Sequence, residues 1–394
     1  MSEWKKVPIK DVCVGIYDGP HATPPVSETG GIFLGISNIT KDGHFDFSSI
    51  KYIGDDYMPK WTKRVTPQKD DIVFSYEATL NLYAVIPDGF YGCLGRRMAL
   101  IRTNKQLVNH KYLFYYFFSK NWRNLISEKT IVGATVDRIP IATFPDFEIE
   151  LPSLDVQNKI ATILSRYDSL IENYQKQIKL LEESAQRLYK EWFIDLRFPG
   201  HENTKIVDGV PEGWEKKKLV DMVDVQYGYA FDGKLFNSNS EGMPILRIRN
   251  IPEGITSDYT TEEASADYVV HNGDIVVGMD GIFHINTWSG GDAYLVQRAC
   301  SFRPIEEVIK GFIFLAIKEP IKYFEQTLVG STVAHLGKKH IDSIEILVPN
   351  RKELFKSLQD IFNQRQNMLY QIRHLTEARD RLLPKLMSEE IKIN

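Results

Sequence analysis

Several short clusters in this chain carry residues suited to holding a polyanion and reading its bases. Lys60, Lys63 and Arg64 surround a tryptophan in MPKWTKRV, and Lys338, Lys339 and His340 follow a glycine in LGKKH. Loop cations of this kind supply sequence-independent affinity for phosphate. Arg96 and Arg97 in LGRRMALIR, with Arg298 in QRACSFR, carry the planar fork that pairs bidentately with a guanine edge. Arg247 and Arg249 in LRIRN alternate around an apolar residue, so on a strand they share a face beside Asn250. Thr135 and Thr332 sit in the glycine-led segments VGATV and VGSTV, where small residues let backbone amides approach a phosphate, and Arg138 follows the first of them. Tyr76 and Tyr83, then Met279 and Asp280, follow two strand-like runs; if these loops read bases, the two runs read different ones. For each cluster the alternative is an ordinary solvated or structural residue.

Constellations for catalysis are missing. GSTVAHLGKKH has a glycine and a GK, but its gap is too long for a phosphate-binding loop and no Ser or Thr follows the lysine. GFYGCLG lacks the strand-then-helix setting of a dinucleotide fingerprint. The tetrad of adenine methyltransferases, Asn or Asp with two prolines and an aromatic, is absent. PDFEIE lacks the nearby acid-x-lysine of a nuclease, and neither a metal cluster nor a triad is evident.

The elements that must position these clusters occur twice. WKKVPIKDV (4–12) matches WEKKKLVDM (214–222), FLGISNI (33–39) matches ILRIRNI (245–251), and DDIVFS (70–75) matches GDIVVG (273–278). RRMALIR (96–102) then matches QRACSFR (297–303), VGATV (132–136) matches VGSTV (329–333), and FEIELP (147–152) matches IEILVP (344–349). The order is the same in both halves, so the chain is a tandem duplication. Short β-branched and aromatic runs punctuated by Gly, Pro and Asn predict a sheet core in each half. Residues 110–126 and 309–328 read as buried helices, making each half mixed α and β.

Each half ends in a long helical seam. From Ile160, apolar or aromatic residues recur in steps of four and three through Leu164, Tyr167, Ile171, Tyr174, Ile178, Leu181, Ala185, Leu188 and Trp192. This predicts a coiled-coil helix of roughly 50 Å. The second seam runs from Leu354 to Leu386 and is interrupted by Arg365 and Arg379, so it is either weaker or looks toward acidic neighbours. The economical arrangement packs the two helices antiparallel, with QIKLLEESAQRL and QIRHLTEARDRL as each other's partners. It also holds the halves apart by about a helix length, roughly fifteen base pairs of duplex. Outward Glu172, Lys176, Lys179, Glu182, Arg187 and Lys190 form a solvated face or a docking face for a partner. Tyr189, Trp192 and Phe193 form either core or a partner hot spot.

At 394 residues with 43% hydrophobic and 25% charged content, the chain is expected to fold into two or three globular domains. A net charge of -4 gives no global basic signature, so nucleic-acid binding must use local patches or a partner's charge. Cys13, Cys93 and Cys300 are too scattered for metal ligation and fit a reducing compartment. No long apolar run or signal-like start is present, so a cytoplasmic location and no membrane partner are expected.

The paired W-start segments, the DIVFS and DIVVG runs, the VGATV and VGSTV loops and LPSLDVQNKIATILSRYDSLIENYQKQIKLLEESAQRLYKEWF resemble the specificity subunit of type I restriction-modification enzymes along the whole chain. The resemblance implies target recognition domains over 1–152 and 200–350 and spacer helices over 153–199 and 351–394. The fold class is then α+β, with two pseudo-symmetric mixed domains separated by long antiparallel coiled-coil helices. It implies duplex DNA, two adenine-N6 methyltransferase subunits and motor-nuclease subunits as partners, with no catalysis and no cofactor of the chain's own; S-adenosylmethionine belongs to the methyltransferase. The acidic-then-glutamine entry of the family appears as Asp155 and Gln157 in the first helix, whereas the second has RKELFKS, a departure that bears on docking of the second partner copy. The rival reading is a coiled-coil adaptor that joins two protein ligands and never touches DNA.

Overall fold

The computed structural model describes residues 4–133, 135–328 and 334–393. Thr332 therefore lies outside the described residues. The chain packs into two compact units: Met1–Ser169 with Thr376–Asn394, and Leu170–Leu375.

The two units use one sheet plan. In unit 1 a four-stranded sheet runs in the order Cys13–Asp18, Met98–Thr103, Ile72–Ser75, Tyr83–Val85. In unit 2 the order is Val223–Tyr227, Ala299–Pro304, Ile275–Gly278, Ile285–Thr287. The central strand is fully buried in each case (IVFS and IVVG), which is why these runs are continuously apolar rather than alternating. A second sheet in each unit contains one parallel pair, Gly31–Leu34 with Gly92–Leu94 and Met243–Leu246 with Ala293–Leu295. The matched terminal segments also pair alike: Lys5–Pro8 with Glu148–Leu151, and Trp214–Lys218 with Glu345–Pro349. An Arg–Asp pair anchors each central sheet, Arg102 to Asp71 at 2.7 Å and Arg303 to Asp274 at 3.4 Å.

The expected single helix over 110–126 is two, His110–Tyr116 and Lys120–Lys129. Ser119 restarts the chain by accepting from the Trp122 N–H at 3.3 Å, satisfying a donor that a helix start leaves free. The segment 309–328 is likewise divided, into Lys310–Ala316 and Lys318–Thr327, and Pro320 falls in the first turn of the second piece, where its missing N–H costs nothing.

The first long helix, Leu154–Tyr189, starts in unit 1 and ends in unit 2; the second, Glu353–Met387, runs the other way. In unit 1, Ile160, Ala161 and Leu164 share a core with Leu386 and Met387. In unit 2, Ala185 shares one with Leu354, Leu358 and Phe362. The pairing is antiparallel in both units. Arg365 and Arg379 do face acids: Arg365 Nε lies 2.6 Å from Glu182, and Arg379 lies 2.7 Å from Asp168. Glu182, expected on the outward face, is therefore turned into the helix pair.

Gln157 is wholly intramolecular. Its Oε1 accepts from the Asn109 N–H at 2.9 Å and its Nε2 donates to Pro152 and Leu107 carbonyls, clamping the helix start to unit 1. Gln359 performs the same service in unit 2, accepting from the Gly311 N–H at 2.9 Å. The RKELFKS departure thus leaves the clamp intact, moved along the helix.

Cys93 and Cys300 are buried in apolar surroundings, and burial pushes the Cys93 thiol up to about 12 and the Cys300 thiol higher. Both are expected to stay silent toward a thiol-disulfide exchange reagent at pH 8 in the native protein and to react on unfolding. Stoichiometric reaction of either thiol in folded protein would contradict this packing.

Candidate nucleic-acid interface

The central strand of unit 1 ends at Ser75, and the next residues build a small frame. The Tyr76 N–H donates to Arg97 O at 3.2 Å, the Ile139 N–H to Tyr76 O at 2.7 Å, and the Ala78 N–H to Asp137 O at 2.9 Å. Unit 2 repeats each bond: Met279 N–H to Arg298 O at 2.8 Å, Leu336 N–H to Met279 O at 2.7 Å, Gly281 N–H to Ala334 O at 3.0 Å. Glu77 bridges to Arg138 and Asp280 bridges to His335, antiparallel in both cases.

This frame corrects several expectations. Tyr76 and Met279 occupy the same inward position and are both only 6% exposed, so neither offers a side chain to a ligand. Tyr83 is fully buried; its ring stacks on Phe117 at 4.7 Å and its hydroxyl accepts from Trp122 Nε1 at 2.8 Å. A strand that closes the sheet turns it inward, and the sequence offered no sign of which face that was. Asp280, expected as a base-reading difference between the halves, instead matches Glu77 as an acid.

The acids hold arginines. Arg298 Nη1 lies 2.9 Å from Asp280, and His335 Nδ1 lies 2.5 Å from the other carboxylate oxygen. Arg97 Nε lies 3.6 Å from Glu77. Both arginines sit in the left-handed region, at φ 74° for Arg97 and 70° for Arg298. That conformation costs a residue with a Cβ about 1–2 kcal/mol, and here it recurs at matched positions. Arg298 remains 67% exposed at its side chain.

Arg64 and Arg96 lie close to Tyr76, at this end of unit 1. Arg64 is paired with Asp18, which also meets His21 at 3.1 Å. Burial raises the Tyr76 pKa, with Asp18 and Glu77 adding to the rise while Arg64 and Arg96 oppose it. Arg64 and Arg96 therefore both lie within electrostatic reach of the Tyr76 hydroxyl. Lys60 lies 5.0 Å over the Trp61 ring; it and Lys63, Thr135, Arg96 and Arg138 are exposed.

In unit 2 Lys338 and Lys339 are exposed, but His340 is occupied: its Nδ1 accepts from the Gly337 N–H at 3.0 Å, and burial lowers its pKa, so it adds no charge at neutral pH. Arg247 and Arg249 do not share a strand face. The strand stops at Leu246 and Ile248–Asn250 is a tight turn that aims both arginines at Asp258, at 3.0 and 2.6 Å. Asn250 joins them, donating to Asp258 at 3.3 Å and accepting from the Arg247 N–H at 2.9 Å. The cluster is a clamp that folds its own loop. On the first long helix, Glu172, Lys176, Lys179 and Arg187 are exposed, whereas Phe193 is buried against Phe312 at 4.8 Å and Trp192 packs on the same core. Phe193 is covered by the chain's own second unit, and Trp192 partly so.

Among the described residues no group of His, Cys, Asp or Glu could hold a metal ion, and no helix is long and apolar enough to cross a membrane.

The family described as the type I restriction modification DNA specificity domain matches residues 1–183 and again 211–372. The type I restriction enzyme MjaIX specificity subunit of Methanocaldococcus jannaschii is 30% identical over 309 residues, covering 73% of this chain and 71% of that protein. The MjaVIII specificity subunit of the same organism is 25% identical over 377 residues, covering 89% and 87%. A crystal structure of the type I restriction-modification S subunit from M. genitalium aligns with a TM-score of 0.56 at 17% identity, over 97% of this chain and 96% of that one, a likeness of fold.

Proposed function

This chain belongs to the type I restriction-modification DNA specificity family, and from that premise we propose that it is a non-catalytic reader of a bipartite, asymmetric duplex site. Each unit reads one half-site, and the readers position adenine-N6 methyltransferase subunits over adenines inside the two half-sites, with motor-nuclease subunits where they exist. Base flipping and methyl transfer belong to those partners, which would also hold S-adenosylmethionine. The exposed charges Lys176, Lys179 and Arg187 on the first long helix would face such a partner.

The observation that carries this reading is the repeated frame: one backbone scaffold in both units, with Arg96, Arg97 and Arg138 at its edge in the first and Arg298 and His335 in the second. A duplicated frame with different outward side chains suits two unequal half-sites. With a net charge of -4, phosphate affinity falls to local cations and, in the complex, to the partner.

Mapping methyl-adenine in a host that expresses this chain with a methyltransferase subunit tests the proposal. A split motif with an unread gap is expected; methylation confined to continuous short motifs would reject it. Phosphate contact is tested separately. Lys60→Ala and Lys63→Ala are expected to weaken duplex binding by the complex about equally for all sequences, each reducing the slope of log affinity against log salt by about 1. A binding curve insensitive to salt in every mixture would favour a protein-joining adaptor.

A further inference from the structure

We infer that the two acid–arginine pairs, Glu77 with Arg97 and Asp280 with Arg298, each read one G·C base pair through the major groove. The inference deepens the proposed function and rests on it. Its starting point is the contrast between these arginines and the other cations of the two edges. A lysine or arginine that serves a phosphate carries no sequence information, so it does not require a fixed pattern of donors and acceptors. Arg97 and Arg298 are held still twice over. Each has a left-handed backbone at the matched position of its unit, and each guanidinium lies against a carboxylate from the matched strand end.

The pairing also sets a pattern. A G·C pair shows, in order across the major groove, two acceptors on guanine (N7 and O6) and one donor on cytosine (N4). An arginine beside a carboxylate shows two donors followed by an acceptor, which is the complement. Against A·T the same array meets the adenine N6 donor with a donor and the thymine O4 acceptor with an acceptor, so two contacts become repulsive. Asp280 engages Arg298 with one oxygen and His335 with the other, and each carboxylate oxygen retains a second lone pair. Asp280 engages Nη1 of Arg298, leaving Nη2 and Nε for guanine; Glu77 faces Nε of Arg97, leaving both Nη groups. The buried Arg97 Nε has no hydrogen-bond partner of its own, so Glu77 supplies position rather than saturation. Arg97 and Arg298 are the reading residues, and Glu77 and Asp280 are positioning residues.

The test uses the complex with its methyltransferase subunit and motif mapping of the wild type, R298A, R298K, R97A and D280N. R298A and R298K should each make a single G·C position degenerate in one half-site while the other half-site is read as before, and R97A should do this in the opposite half. Methylation of duplexes carrying A·T at the affected position should show discrimination falling about ten- to hundredfold. D280N should relax the same position as R298A, with D280E restoring part of it, which a merely structural aspartate would not do. Intact reading of the other half-site certifies that the variant has folded.

Retention of the wild-type motif by R298K would overturn the inference, since charge alone would then suffice, as would equal weakening at all positions. If R298A abolishes methylation altogether, 7-deazaguanine placed at each guanine of the wild-type site decides: no rate loss at any guanine overturns it. Absence of a split motif in the wild type would reject the underlying reading instead.

Discussion

Replacing Arg379 by methionine lowers the unfolding free energy of unit 1 by about 3–5 kcal/mol, the cost of stranding one member of a buried ion pair. Arg379 is 8% exposed, and its Nη1 donates to Asp168 at 2.7 Å. The same carboxylate accepts from the Tyr115 hydroxyl, so Asp168 ties both long helices to the helix His110–Tyr116 of unit 1. With the side chain of Asp168 only 15% exposed, little water can replace the guanidinium. The loss is a large share of the roughly 5–15 kcal/mol that holds a domain together. Replacing both partners by apolar residues of similar volume, Arg379→Met with Asp168→Leu, should recover part of it, because the desolvation cost leaves with the pair while the Tyr115 hydroxyl loses the carboxylate it donates to. Denaturant melts of the two single variants and the double variant measure this coupling. Additive losses would show that the pair is not the source. Arg365→Met in unit 2 should cost less, since Glu182 is 38% exposed at its side chain and can turn to solvent.

That these arginines seek acids was legible in the sequence, because a charge in an apolar seam has few other ways to be buried. The duplication was legible for a related reason: strands buried on both faces leave continuous apolar runs that survive divergence of their loops. Facing was not legible. Tyr76, Tyr83 and Met279 follow strand-like runs, and whether a residue beyond a strand points in or out depends on a turn whose conformation no periodicity reports. LRIRN misled in the same way, since alternation implies a shared face only on a strand, and the chain turns at Leu246. The acid–arginine frame did leave a signal. Extending DIVFS and DIVVG by two residues sets Glu77 opposite Asp280, and extending VGATV and VGSTV sets Arg138 opposite His335. What the sequence lacked was the knowledge that these segments, some 60 residues apart, meet at one sheet end.

The core of unit 1 makes an equally large prediction at Trp122. This side chain is fully buried among Phe117, Phe144, Tyr116 and Phe147, with ring centroids 4.7–6.4 Å away. Trp122→Ala is expected to cost about 3–5 kcal/mol from lost transfer energy and the cavity left behind. A second loss comes from Tyr83, whose hydroxyl accepts from the indole N–H inside an apolar site and would be left without that partner, at about 1–3 kcal/mol. Burial already raises the Tyr83 pKa far above its ordinary value, while the indole N–H lowers it, so removing the indole leaves the hydroxyl neutral at any working pH and the penalty independent of pH. Trp122→Phe keeps most of the volume and isolates the polar part, so the difference between the two variants in urea midpoint separates cavity from hydrogen bond. Tyr83→Phe on the Trp122→Phe background should then be nearly neutral, because donor and acceptor have been removed together. If Tyr83→Phe in an otherwise wild-type complex altered the methylated motif while leaving the midpoint unchanged, the Tyr83 hydroxyl would be reading DNA after all and its assignment to the core would fall.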